Sequence, residues 1–171
     1  MFARSSNNQC GFTLIEILVV IVILAVVAGA VTFAIGGVGG ERQLAHQAEQ
    51  TQALVGYACE QAELTGHSIG VGVSTQGYRF SQLDHENWVP FELGELRTRK
   101  WLDTTRSALS RDGRPLDVNS EYPEKPQVVC FSSGEMTPFR LELGLSDLRV
   151  IYRLDGQPDG DIKLVTIDAR H

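Results

Sequence analysis

Three patterns of apolar and polar positions succeed one another along the chain. The first is a uniform run: residues 17–40 carry no charge, and residues 17–27 are almost pure Ile, Leu, Val and Ala. A helix needs about 20 apolar residues to cross a bilayer core, so this run predicts a spanning helix and not a buried core helix. Its β-branched residues are tolerated in lipid, because a helix closes its own backbone hydrogen bonds there. The glycines of "GGVGG" (residues 36–40) end the run. Glycine costs about 1 kcal/mol per helix position relative to alanine, so they mark a weak point, read equally as a linker or as a hinge.

The second pattern is helical. In "ERQLAHQAEQTQALVGYACEQAELTG" Leu44, Ala48, Thr51, Val55, Ala58 and Ala62 follow steps of three and four and share one face. Glu41, Arg42, Gln47, Glu49 and Gln50 are expected off that face, and Gly66 is the expected stop. The third pattern alternates. Ile69, Val71 and Val73, then "YRF", then Phe139, Leu141 and Leu143, then "RVIYRL" and "IKLVTI" read as short strands. "DGQPDGD" (residues 155–161) reads as a hairpin turn. The polar, Pro- and Gly-rich "SRDGRPLDVNSEYPEKPQ" reads as an exposed loop. One long helix followed by short strands predicts an α+β unit, with one antiparallel sheet or two packed on the helix.

The chain start decides what kind of apolar segment this is. A cleaved secretory signal has a basic start and an apolar region of about 7–15 residues. Here "MFARSSNNQC" is polar with Arg4 as its single basic residue, and the apolar run is too long. Cys10 precedes the run, where a lipoprotein signal places its cysteine after one. Glu16 stands at the head of the run. An ionisable group in a bilayer costs about 2.5–3.5 kcal/mol at its centre on insertion scales and usually has a partner.

"GFTLIE", residues 11–16, resembles the processing site of type IV pilins and pseudopilins. In that family a polar leader ends in glycine, here Gly11. A membrane-embedded prepilin peptidase cuts after it and methylates the new amine, here on Phe12. The fifth residue after the cut is glutamate, here Glu16. The resemblance implies that the Phe12 amine and the Glu16 carboxylate neutralise one another, within a chain or between neighbours, and set subunit register during assembly. Family members often carry a proline where Phe33 stands, and here glycines take that part. "CFSSGEMTPFRLEL" (residues 130–143) further resembles the strand–turn–strand of the H-type minor pseudopilins of type II secretion, with Phe131 and Gly134 at the recurring positions.

That resemblance implies a pilin-like fold and the following layout: leader 1–11, membrane and assembly helix 12–40, amphipathic helix 41–66, and periplasmic β-rich domain 67–171. It also implies a single-pass inner-membrane protein that enters a short filament near its tip. The expected partners are prepilin peptidase, other minor and major pseudopilins and an inner-membrane assembly platform. The alternative is a minor pilin of a surface fibre or DNA-uptake pilus. Charge weighs between them. The chain has 15 Lys and Arg against 21 Asp and Glu, and loss of Arg4 with the leader moves the net charge from −6 to −7. Nucleic-acid binding draws on Lys and Arg clusters, and none is present, so no nucleic-acid partner is expected.

No nucleophile–base motif, phosphate loop or paired Cys and His at metal spacing occurs, so no enzyme, metal or cofactor is expected. His46, His67, His85 and His171 are scattered. Asp155, Gln157, Asp159, Gly160 and Asp161 echo half of an EF-hand loop, but Thr166 stands where its bidentate glutamate belongs. Cys59 and Cys130 could pair in an oxidising periplasm, and the sequence does not decide whether they do.

Overall fold

The computed structural model describes the backbone of residues 14–168 and the side chains of residues 14–27 and 39–168. The chain divides into two compact units, Met1–Val38 and Gly39–His171. Helix α1 is Leu14–Thr65, and its backbone is helical through residues 36–40. The glycines lower helix propensity without forbidding helix, and the division between units falls among them.

In the second unit α1 buries Leu44, Ala48, Thr51, Val55, Ala58 and Ala62, the face that the three- and four-residue steps predict. Leu54, Cys59 and Gln47 widen it. Gln47 was expected off this face; it is buried, and its Nε2 lies 3.4 Å from the Lys100 carbonyl oxygen. The reason is that two sheets flank the helix, so the covered arc is broader than one stripe. Gly66 ends α1 at φ 71°, with its N–H donating to the Ala62 carbonyl at 3.1 Å.

Ten strands follow: β1 (Ile69–Ser74), β2 (Gly77–Asp84), β3 (Asn87–Pro90), β4 (Arg99–Lys100), β5 (Thr105–Arg111), β6 (Arg114–Leu116), β7 (Val128–Cys130), β8 (Phe139–Leu145), β9 (Val150–Gly156) and β10 (Ile162–Asp168). They form two antiparallel sheets. The first runs β3-β2-β1-β7 with β4 also on β2, and the second runs β10-β9-β8-β5-β6. The inner face of the second sheet is a set of apolar rungs, such as Leu164, Leu154, Leu141, Leu109 and Leu116 in register. Both sheets and α1 share one core. Tyr78 lies in that core against Trp101, and burial pushes its phenol pKa up, partly offset by the neighbouring Thr51 hydroxyl and by Arg99.

Three local readings change. The stretch 110–127 is not simply an exposed loop. It finishes β5, turns at Asp112 and Gly113 with φ of 51° and 74°, and forms β6. Two positive φ values at an Asp-Gly pair are those of a type I′ hairpin turn. Residues 117–127 then lie across the outer face of the first sheet. Pro123 and Pro126 sit over Gly72 and Gly70, and Gln127 bonds both the N–H and the C=O of Val73, at 2.8 and 3.1 Å. This explains why β1 is buried at all six positions and carries glycine on its outer side. Second, the strand–turn–strand of residues 130–143 is present, with Cys130 and Met136 bridged across its turn, but it joins two sheets, β7 lying in the first and β8 in the second. Third, Cys59 and Cys130 form a disulfide between α1 and β7, with Cα atoms 4.9 Å apart.

The two glycine environments give opposite expectations. A Cβ on Gly70 would meet Trp88 Cζ3 at 2.9 Å and run into the Pro126 ring, while one on Gly56 of α1 meets nothing within 4 Å. Gly70→Ala should therefore cost about 1–3 kcal/mol, and Gly56→Ala should stabilise by up to about 1 kcal/mol. Denaturant unfolding of a chain beginning at Gly39 reads both. The disulfide closes a separation of 71 residues. In the chain-entropy account its removal by Cys59→Ser with Cys130→Ser should cost about 4 kcal/mol. An unfolding midpoint that does not move on reduction of the wild-type chain would refute that expectation.

Candidate functional site

The residues singled out for processing and assembly lie at the chain start. Gly11 and Phe12 fall outside the described residues. Glu16 lies in the first turn of α1 and is exposed. A carboxylate in a first helical turn faces the positive end of the helix dipole, a contribution typically of about 0.3–1 kcal/mol. Local sequence thus places the anion where helix electrostatics favour it.

Around Glu16 the helix is apolar on all sides. Leu14, Ile15, Leu18, Ile21, Leu24 and Val26 are each 55% exposed or more, and every other residue in 14–27 is exposed too. A helix hydrophobic all round belongs inside lipid or inside a packed bundle. Among the described residues no helix is long and apolar enough to cross a membrane. The described apolar stretch, residues 14–27, would extend about 21 Å at the helical rise of 1.5 Å per residue, against a hydrocarbon core of about 30 Å. The remainder of the expected span falls on residues 28–38, outside the described side chains.

The other candidate residues do not converge. His46, His67 and His85 are exposed at separate places, and His171 lies outside the described residues. His85 Nδ1 is 2.8 Å from Asp84 Oδ1, its neighbour in sequence. In the β9–β10 turn, Asp159 Oδ1 accepts the Asp161 N–H at 3.2 Å. Asp155 is held on β9 by two arginines, with Arg140 Nε at 2.8 Å and Arg153 Nε at 2.9 Å. Among the described residues no group of three His, Cys, Asp or Glu could hold a metal. A cleft of about 210 Å³ beside the end of α1 is lined by Tyr57, Gln61, Phe91, Leu93 and Glu95. Its one carboxylate, Glu95, pairs with Arg99 at 3.4 Å.

Sequence reasoning assigned Asp155 to a turn and overlooked its arginines. The signal was available. Alternation in "FRLEL" and "YRLD" puts Arg140, Arg153 and Asp155 on the outward side of neighbouring strands.

Comparison with known proteins agrees with the fold. Residues 6–32 match the family model described as the prokaryotic N-terminal methylation motif. The chain is 32% identical over 143 residues to a type II secretion system protein H of Pseudomonas aeruginosa, covering 78% of this chain and 81% of that protein. It is 31% identical over 158 residues to the protein of the same name from Aeromonas hydrophila, covering 85% and 86%. The crystal structure of the minor pseudopilin EpsH from the type II secretion system of Vibrio cholerae aligns at a TM-score of 0.62 and 22% identity, covering 72% of this chain and 94% of that one. That last likeness bears on fold, while the first two decide between the secretion and fibre branches that the sequence leaves open. The chain belongs to the type II secretion system protein H family, the H-type minor pseudopilins.

Proposed function

We propose that the chain acts by assembly. A prepilin peptidase cuts between Gly11 and Phe12 and methylates the Phe12 amine. The apolar helix anchors the product in the inner membrane, with the sheet domain in the periplasm. Withdrawn from the membrane, the subunit joins other minor and major pseudopilins near the tip of a short filament on an inner-membrane assembly platform. The filament serves export of folded proteins through the outer membrane.

One observation carries this reading: an all-round apolar helical surface interrupted by the single carboxylate of Glu16. Such a surface has two stable settings, lipid and a bundle of like helices, and a filament subunit must occupy both in turn. In either setting an unpaired charge is strongly disfavoured, whereas a charge meeting an opposite charge at the same depth is tolerated. The amine freed at Phe12 supplies that opposite charge four residues from Glu16. Nothing in this role calls for bond-making chemistry in the sheet domain.

Processing is tested by N-terminal mass spectrometry of the protein from native membranes, which should find Phe12 first and methylated. Gly11→Val should abolish the cut, because a branched side chain crowds a backbone that glycine leaves accessible. An intact Met1 terminus in cells with active peptidase would end this reading. The role of Glu16 is tested separately. Glu16→Ala removes a polar burden, so membrane insertion should be unchanged or improved. It also strands the amine, so cross-linking to other pseudopilins and secretion should each fall about tenfold or more, equivalent to about 1.4 kcal/mol. Glu16→Gln should lie between. Wild-type cross-linking and secretion by Glu16→Ala would show that the carboxylate does not set register.

A further inference from the structure

The two sheets end on five strands, and four of these are short or closed to further pairing. β4 has two residues; β6 has three and carries Pro115. β3 has four and ends in Pro90. β7 has three, and the chain itself covers its free side. There the Thr137 N–H donates to the Val129 carbonyl at 2.8 Å, and the Val129 N–H donates to Thr137 Oγ1 at 3.3 Å. Shortness, proline and self-covering are ordinary ways of protecting a sheet edge from added strands. β10 has none of the three. It is seven residues long, contains no proline and is paired with β9 at every position.

The direction of its backbone groups follows from the hairpin. The Gln157 N–H donates to the Asp161 carbonyl at 2.8 Å. Bonding alternates along an antiparallel ladder, so Lys163, Val165 and Ile167 turn their N–H and C=O groups toward β9. Those of Ile162, Leu164 and Thr166 turn to the free side. One hydrogen bond on that side agrees: Gln52 Nε2 of α1 donates to the Ile162 carbonyl at 2.6 Å. Leu164 and Thr166 have no such partner among the described residues. Their donors and acceptors repeat about every 7 Å along the edge.

At its Ile162 end this edge meets a groove of about 420 Å³ lined by Ala53, Gly56, Tyr57 and Glu60 of α1 with Gly160 and Ile162. A Cβ on Gly56 would meet nothing within 4 Å, so the helix leaves room there for a passing chain. The open backbone groups of Leu164 and Thr166 and this groove therefore lie in succession on one side of the second sheet.

We propose that the free edge of β10 docks an extended segment of another protein. The segment adds a sixth strand to the second sheet through Leu164 and Thr166 and leaves it over Gly56. Regularly spaced amide donors and carbonyl acceptors are the complement of an extended backbone, which neither a lipid headgroup layer nor a nucleic-acid strand supplies. A second copy of this chain fits less well. Two β10 edges paired symmetrically about Val165 would set residue 168 of each copy against Ile162 of the other, where Gln52 already holds the edge. A strand fixed in its own sheet cannot bend away from α1 there, whereas a free segment can. The proposal stands on the sheet edge and does not need the assembly role of Glu16.

The test uses the full chain in its native cells, with a photoactivated benzophenone residue replacing Lys163 in one version and Val165 in another. Both positions are exposed and share one side of β10. The cross-linked products are digested and the attached residues located by mass spectrometry. Both labels should attach to one segment of the same other protein, at points about two residues apart, because paired strands keep step. The same label at Thr75, exposed at the end of the first sheet, should not reach that segment. Thr166→Pro removes an N–H that β9 does not use, which an edge strand tolerates, and should lower both yields about fivefold or more. Gly56→Arg fills the groove, leaves β10 untouched and should lower them as well. The proposal is overturned by attachment to lipid or to a second copy of this chain, or by attachment points that do not shift with the label. Yields indifferent to either substitution, or no adduct in secreting cells, overturn it too. No adduct beside a secretion defect in Glu16→Ala would reject this edge and leave the assembly role standing.

Discussion

The buried side of α1 is the constraint on which the unit Gly39–His171 depends. Leu44, Ala48, Val55, Ala58 and Ala62 must be removed from water, and residues of both sheets join them in doing so. The structure solves this by placing the same helical stripe in one core with both sheets. No strand of one sheet pairs with a strand of the other, so the shared core with α1 carries the connection between them, helped by the Ser107 hydroxyl of β5 donating to the Ser74 carbonyl of β1 at 3.5 Å, while the Cys59–Cys130 bond ties α1 to the first sheet. Three of the six stripe positions are alanine, which allows backbones to approach closely, and the larger Leu44, Leu54 and Val55 fill the spaces that remain. Thr51 is tolerated in this setting because its hydroxyl donates to the Gln47 carbonyl at 2.8 Å, which leaves its methyl group for the core.

The same element, α1, meets the opposite condition over residues 14–27. There the apolar side chains are turned outward in every direction, and their burial has to come from outside the chain. One helix thus carries two hydrophobic surfaces with different destinations. The C-terminal one is an arc completed by the chain's own sheets. The N-terminal one is a full cylinder that only lipid or other helices can complete. The division between units falls among the glycines where these regimes change. A membrane-anchored subunit needs this separation, because a sheet domain that required the apolar cylinder for its own core could not leave it in the bilayer.

Legibility followed the range of the interactions involved. The six positions of the helical face, the Gly66 stop and the β9–β10 turn could all be read because each rests on local periodicity or on one residue's backbone freedom. The glycines of β1 looked like mere small residues between Ile69, Val71 and Val73, since their reason lies more than 50 positions away in Pro123 and Pro126. The same distance hid the disulfide: spacing sets no geometry between a helix and a strand. The Asp112-Gly113 turn was locally legible but was absorbed into a polar stretch. Gln47 misled because polarity was taken as exposure, although a long amide can sit in a covered arc while its end reaches a backbone carbonyl. For the site, the processing pattern and Glu16 were visible in six residues, whereas the outward charges of the second sheet emerge only when register places β5, β8, β9 and β10 side by side.

The two sheets also show why an outer face left bare is informative. A sheet face covered by the chain's own segment has settled its hydrogen bonds and charges internally. Arg79 has its ring and its carbonyl, and Val73 has both backbone groups met by Gln127. A free face must instead remain soluble on its own. The second sheet does so by alternating Arg140 with Asp155 and Arg153 with Glu142 along its rungs, which suppresses indiscriminate association by matching signs locally.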